Sequence, residues 1–148
     1  MSSIVIRPVE AGDRAKWEPL WAGYIAFYEK TVPAEATEFT WTRLIAGDEI
    51  RGFIAIDENG DALGLVQYFF HQSTWSMGGN CYLQDLFVIP EARGKRIGRR
   101  LIAAVTEASK KHGAAVLYWQ TEEFNGTARR LYERVAKRAP FIRYQIDL

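Results

Sequence analysis

Apolar side chains recur along the chain with two different periods, and the switches between them mark out the elements. Ile4-Val5-Ile6 is a short β-branched run closed by Pro8, which predicts a first strand. Trp17, Leu20, Trp21, Tyr24 and Tyr28 then fall at helical spacing and put large residues on one face. Pro19 fits only near the start of that helix, so Asp13 or a residue shortly after it is the expected cap. Glu29 to Ala36 reads as a loop. A second, shorter helix covers Thr37 to Ala46, with Trp41, Leu44 and Ile45 as its apolar edge.

Strands are predicted over Gly52 to Ile56 and Ala62 to Phe70. They are joined by Asp57-Glu58-Asn59-Gly60-Asp61, and Asn-Gly between apolar runs is a strong hairpin signal. The stretch Ser73 to Asn80, with Gly78-Gly79, leads to a strand over Cys81 to Ile89 that Pro90 stops. A helix covers Arg99 to His112, with Leu101, Ile102, Val105 and Ala108 inward and Gly113 just past its end. Ala115 to Thr121 is predicted as a strand buried on both faces. Asn125 to Ala136 is a helix bearing Ala128, Leu131, Tyr132 and Val135 on one side, and Phe141 to Ile146 closes the chain as a strand. The order β-α-α-β-β-β-α-β-α-β predicts an α+β domain, residues 1–148, with helices on both faces of a mixed, mostly antiparallel sheet. Repeats, linkers and low-complexity tracts are absent from the sequence.

Composition narrows the partners. The 148 residues carry 19 Lys plus Arg against 18 Asp plus Glu, and 48% are hydrophobic. Those proportions fit a globular chain with a real core and argue against disorder or a broad basic nucleic-acid footprint. Aromatic residues reach 14%, which suits a thick core, a dimer surface or an aromatic-lined pocket. One cysteine, Cys81, forbids an intramolecular disulfide, leaves no metal cluster and suggests a reducing, cytoplasmic setting. The three apolar residues before Arg7 are too short for a signal peptide, and Ala114 to Trp119, six residues, is too short to span a membrane.

The charge balance hides one concentration. Five of the 19 basic residues fall within Arg93-Gly94-Lys95-Arg96-Ile97-Gly98-Arg99-Arg100, between a strand and a helix. Helix N-termini carry unpaired N–H groups and partial positive charge, and glycines let a backbone approach phosphate closely. A solvated basic turn is the plain alternative, but its position between strand and helix favours phosphate binding. The Walker pattern fails because Arg99 follows Gly98. The dinucleotide fingerprint fails because only Gly94 and Gly98 are present, late in the chain.

These residues resemble the acetyl-CoA loop of the GNAT superfamily of N-acetyltransferases, Arg/Gln-x-x-Gly-x-Gly/Ala after the fourth strand. Arg93, Ile97 and Gly98 match it, Gly94 fills a position where glycine is common, and Arg96 stands where the family usually has glycine. A preserved loop requires Arg96 to present its backbone N–H without a positive φ. Asn125-x-x-Ala128-x-x-Leu131-Tyr132 is similar to the family's late helix motif. There the asparagine contacts the pantetheine arm and the tyrosine protonates the departing CoA thiolate. The resemblance covers essentially the whole chain and implies a sheet of about six or seven strands. Its details look most like the polyamine and histone/polyamine acetyltransferase branches, which implies a possible homodimer.

By that resemblance, Leu86, Phe87 and Val88 pair by backbone with the pantetheine. Arg93, Gly94, Lys95, Arg96, Ile97, Gly98 and Arg99 hold the pyrophosphate, with Asn125 on the arm and Tyr132 as acid. The polyamine enzymes carry Glu-Asp in the fourth strand, whereas this chain has Gln84-Asp85. Gln84 takes no proton at useful pH. The base is therefore Asp85, Glu35 or Glu38 through water, or solvent; the other readings of Asp85 are a residue that holds the substrate ammonium and a carboxylate that pairs with an arginine in the sheet. Strict alternation puts Cys81, Leu83, Asp85 and Phe87 on one face, so Gln84 and Asp85 share a site only if a bulge intervenes.

Lesser candidates read as structural: His112 for the helix dipole, His71 without a partner, Cys81 as a small buried residue, and Trp17, Trp21, Tyr24 and Tyr28 as core. A minority reading gives the loop after the first helix, with Trp41, to the acceptor pocket. The expected activity is acetyl transfer from acetyl-CoA to a primary amine of a small molecule or a protein lysine, rising with pH as the amine loses its proton. A non-catalytic acyl-CoA sensor and a nucleic-acid-binding domain are the rivals, and the near-zero net charge counts against the second.

Overall fold

The computed structural model describes residues 3–148; Met1 and Ser2, the start of the segment considered for a signal peptide, lie outside them. The elements are β1 (Val5–Pro8), α1 (Arg14–Phe27), α2 (Ala34–Ala46), β2 (Arg51–Ile56), β3 (Ala62–Ser73), β4 (Ser76–Val88), α3 (Ile97–His112), β5 (Val116–Tyr118) and α4 (Gly126–Val135). The strands form one sheet in the order β1-β2-β3-β4-β5, antiparallel except for the parallel β4–β5 pair. The Asn59-Gly60 hairpin forms as predicted. Gly60 takes φ 82°, and the Asp57 carboxylate accepts from the Asn59 and Asp61 N–H groups at 2.9 Å each.

Two apolar clusters fill the two faces. On one, Val66, Tyr68, Cys81 and Leu83 meet Leu101, Ile102 and Val105 of α3, with Leu131, Tyr132 and Val135 of α4 at the margin. On the other, Ile54 and Leu65 meet Trp17 and Leu20 of α1 and Leu44 of α2. The layered α+β architecture is therefore the predicted one.

Several boundaries differ from the sequence reading. The sheet has five strands among the described residues, because Phe141 to Ile146 joins no ladder; Arg143 Nη1 donates to Gln120 Oε1 at 2.7 Å, beside β5. β5 spans Val116 to Tyr118 and is not buried on both faces, since it is the sheet edge and Val116 is half exposed. β3 and β4 run further than predicted and turn at Thr74-Trp75, with Ser73 opposite Ser76. Gly78-Gly79 therefore lies within β4, where a Cβ on Gly78 would strike the Gly113 carbonyl. Pro19 sits well inside α1 and is exposed, with Ala15, whose carbonyl it leaves unpaired, also at the surface. Asp13 precedes α1 but turns its carboxylate away from the helix. It accepts from Arg7 Nη1 at 2.7 Å, Arg7 Nη2 at 2.9 Å and the Glu10 N–H at 2.8 Å.

Candidate active site

The register of β4 against β3 breaks at one point: Asp85 lies opposite Gln67 and Leu83 opposite Tyr68, leaving Gln84 as an extra residue. The two halves of β4 are therefore out of phase. Cys81 and Leu83 pack toward α3, and so do Leu86 and Val88, while Phe87 packs toward α1. Asp85 and Gln84 both line one cavity of about 300 Å³ between α1, α2 and the sheet. The bulge that the sequence made a condition for a shared site is present.

Asp85 is 8% exposed and is held by a buried polar chain. Trp17 Nε1 donates to Gln67 Oε1 at 2.8 Å, and Gln67 Nε2 donates to Asp85 Oδ2 at 2.8 Å. The Tyr24 hydroxyl also donates to the carboxylate. Burial disfavours the charged form, while the two donors favour it. Burial wins, and the Asp85 pKa is pushed up to about 6. Glu38 is exposed and paired with Arg14, and Glu35 is exposed, so neither matches Asp85 in placement.

Sequence reasoning missed Gln67, Tyr24, Trp21 and Arg43. Trp21 and Arg43 line the cavity with Gln67 and Phe69, so α2 contributes to the pocket, whereas the loop after the first helix and Trp41, which the minority reading put there, are not among its walls. Trp41 itself packs on Trp17, with ring centroids 5.0 Å apart. The available signal for Gln67 was a lone amide inside the otherwise apolar run from Leu63 to Phe70.

Beyond the cavity, β4 pairs with β5 only from Asn80 to Tyr82. From Leu83 to Val88 it is paired on the β3 side alone, so the Leu86, Phe87 and Val88 backbone has a side free for a ligand. Pro90–Ala92 forms a single 3-10 turn, and the basic loop follows. Gly94 takes φ 86°, with no atom near a Cβ built there. Arg96 takes φ 60°, which corrects the expectation that it would avoid positive φ: the turn into α3 demands the left-handed conformation whatever residue occupies it. The first intrahelical bond runs from the Arg100 N–H to the Arg96 carbonyl, leaving the N–H groups of Ile97, Gly98 and Arg99 for other partners. Ile97 is buried in the core, so it offers only backbone here. Arg93, Lys95 and Arg99 are exposed, and the Arg93 guanidinium lies 5.9 Å from the Phe27 ring centroid. Gly98 faces Leu131, 3.5 Å from a Cβ built on it.

Asn125 caps α4, its side chain accepting from the Ala128 N–H at 3.5 Å. Tyr132 stacks edge-on to Trp119 with centroids 5.5 Å apart. Burial, with a smaller contribution from Tyr28, pushes its phenol up to about 12, so it keeps its proton at neutral pH. Cys81 is buried and its thiol is pushed up by desolvation. No group of three His, Cys, Asp or Glu among the described residues is placed to hold a metal.

A sequence profile of the Acetyltransferase (GNAT) family matches residues 17–136. The chain belongs to that family. Its GNAT relatives include the D-amino-acid N-acetyltransferase HPA3 of Saccharomyces cerevisiae, 33% identical over 144 residues, spanning 96% of this chain and 89% of that one. The thialysine N-epsilon-acetyltransferase of Bos taurus is 38% identical over 71 residues, covering 48% of this chain and 41% of that one. Solved GNAT folds superpose closely. A probable acetyltransferase gives a TM-score of 0.87 at 22% identity, covering 97% of each chain. AAC(6')-Iy, bound to a CoA-based bisubstrate analog, gives 0.79 at 20% identity, covering 97% of this chain and 99% of that one. The chain is accordingly a GNAT N-acetyltransferase, a family whose acyl donor is acetyl-CoA. No helix among the described residues is long and apolar enough to cross a membrane.

Proposed function

We propose that this acetyltransferase acetylates a primary amine by direct attack, with Asp85 receiving the amine and Tyr132 closing the proton balance. The observation that carries this reading is the β4 bulge. It turns Asp85 into a cavity on the acceptor side, while the next residues of the same strand keep an unpaired backbone edge that leads to the α3 N-terminus.

The residues suit acetyl-CoA. The free edge at Leu86 to Val88 would take the pantetheine, and the N–H groups of Ile97, Gly98 and Arg99, with Lys95, Arg93 and Arg96, would take the pyrophosphate. Asn125, which the resemblance puts on the pantetheine arm, is engaged as the cap of α4. Acetyl-CoA supplies the acetyl group as a thioester, whose carbon–sulfur bond breaks as a carbon–nitrogen bond to the amine forms. The Asp85 carboxylate accepts the proton that the ammonium loses before attack; the Tyr132 hydroxyl protonates the departing sulfur, and the second proton shed by the acylated nitrogen restores the phenol through solvent. Positioning both reactants supplies the larger share of the rate gain.

A screen of amines read by thiol release from acetyl-CoA tests the activity, with calorimetry of acetyl-CoA in parallel. Release with at least one amine supports the reading; tight binding with no release across the panel would identify a sensor instead. Reversing charge at the exposed loop, Lys95→Glu with Arg99→Glu, should weaken acetyl-CoA binding, and unchanged affinity would overturn the phosphate assignment.

The same proposal includes one acetyltransferase domain, a reducing cytoplasmic setting and a homodimer. Buried, unpaired Cys81 agrees with the setting. Phe141, Ile142, Tyr144 and Ile146 are each at least 75% exposed on a segment without strand partners, tied by Arg143 to Gln120 beside the edge strand β5. A second copy laid against that segment would cover apolar surface that a monomer leaves in water. Light scattering on the full chain should give twice the monomer mass, and a monomer at micromolar concentration would rule this out.

A further inference from the structure

Of the residues around the Asp85 cavity only two are charged, one of each sign: Asp85 on β4 and Arg43 on α2. They form no ion pair, and no carboxylate of the described residues comes within 4.0 Å of Arg43. Opposite charges that line one cavity without meeting leave room between them for a ligand carrying both complements.

Arg43 sits in the last turn of α2, where a cation would suit the helix dipole from a fully solvated position. Its actual position is different. The side chain is half buried, its Nε is buried without a hydrogen-bond partner, and Nη2 reaches Thr40 Oγ1 only at 3.5 Å. The guanidinium lies over the Phe39 ring, 4.3 Å from the centroid. A guanidinium so held presents donors suited to a bidentate carboxylate.

We infer that Arg43 binds the carboxylate of the acceptor, so that the substrate is a free amino acid lying across the cavity with its ammonium at Asp85. The inference rests on the acetyl-transfer reading for the identity of the acceptor and adds the group at its other end. The cavity, about 300 Å³, admits a small or medium side chain. Trp21 and Phe69 supply apolar walls, and Gln84 supplies an amide at the bulge. An aminoalkane lacking the acid would leave Arg43 facing an empty polar end and should be the poorer substrate.

The experiment compares both enantiomers of alanine, phenylalanine and lysine with their carboxamides as acceptors for the full-length enzyme. The carboxamide amine is the weaker base and is more often deprotonated, which works against the expected preference. The wild type should favour at least one free acid over its carboxamide by roughly tenfold or more in kcat/KM, the usual worth of a charge-assisted hydrogen bond. Arg43→Gln should reduce that ratio to about unity by lowering turnover of the acid alone, and Arg43→Lys should restore part of it. Equal use of acids and carboxamides by the wild type would overturn the assignment. So would an Arg43→Gln loss shared equally by both, which marks a structural role. Should no acceptor release thiol, the acetyl-transfer reading fails, and calorimetric titration of the free amino acids still decides the subsite. Binding lost in Arg43→Gln supports it; binding absent from the wild type, or unchanged in the variant, overturns it.

Discussion

Gln67 Nε2 donates to Asp85 Oδ2 at 2.8 Å across the β3–β4 register, while the Gln67 carbonyl is itself held by the Trp17 indole. The amide is 1% exposed and cannot turn over without orphaning two buried groups. It therefore presents a donor, never an acceptor, to the carboxylate. Its hydrogen bond favours the charged form and opposes the upward push of burial. Gln67→Leu should shift the acidic limb of the kcat/KM profile to higher pH. An unmoved limb would show that the contact only supports the fold.

Asp85 titrates in the range where activity should switch on. With a folded pKa of about 6, kcat/KM should climb as pH passes through that value, and Asp85→Asn should lose the limb together with most of the activity. Stability should move the other way. Between an unfolded pKa of about 3.9 and the folded value the native state binds the extra proton, so stability falls as pH rises across that window. Asp85→Asn should thus be more stable than wild type at pH 8, by on the order of 2 kcal/mol, and nearly equal at pH 4. Thermal melts at the two pH values check the sign. Asp13, whose carboxylate is held low by Arg7, contributes equally to both proteins and drops out of the difference.

Tyr132 keeps its proton throughout the working range, as a general acid must. Tyr132→Phe should lower kcat about a hundredfold, the lower end of general-acid contributions, with little change in the KM for the amine. The fold should survive, since the ring and its contact with Trp119 remain. Wild-type turnover in the variant would take Tyr132 out of the mechanism.

Arg96 bears a Cβ at φ 60°, which costs a non-glycine residue roughly 1 kcal/mol. Glycine removes that cost but adds freedom to the unfolded chain, so Arg96→Gly should gain only about 0.5 kcal/mol in denaturant unfolding. The same change removes one cation from the phosphate loop. A melt that rises while acetyl-CoA affinity falls would separate the two roles.

Much of this was legible in the residues. The period-3.6 and period-2 runs gave every helix and the first four strands, and the loop from Arg93 to Arg99 stood out because glycines and cations sit where a strand meets a helix. What was hidden was relational. Alternation alone assigns Asp85 and Leu83 to one face; only the pairing with Gln67 and Tyr68 reveals the extra residue between them. Tyr24 looked like core and Arg43 carried no signal of its own, because one acts through Asp85 and the other through a cavity formed by distant segments. Phe141 to Ile146 has the composition of a strand, but composition cannot supply the neighbour a strand needs.

The offset in β4 also makes the site sensitive to counting. A substitution at Gln84 alters one wall of the cavity and leaves the two halves of the strand in their phases. Deleting Gln84 would leave Leu83 opposite Tyr68 and Asp85 opposite Gln67, each on its present face. Drawing Gln84 into the ladder as a paired residue would remove the offset and make every residue after it exchange faces. Asp85 would then be delivered into the apolar layer under α3, and Leu86 into the acceptor cavity. Side chains around this acid can be exchanged one at a time, but no paired residue can be added to the strand between Leu83 and this acid without turning the acid over.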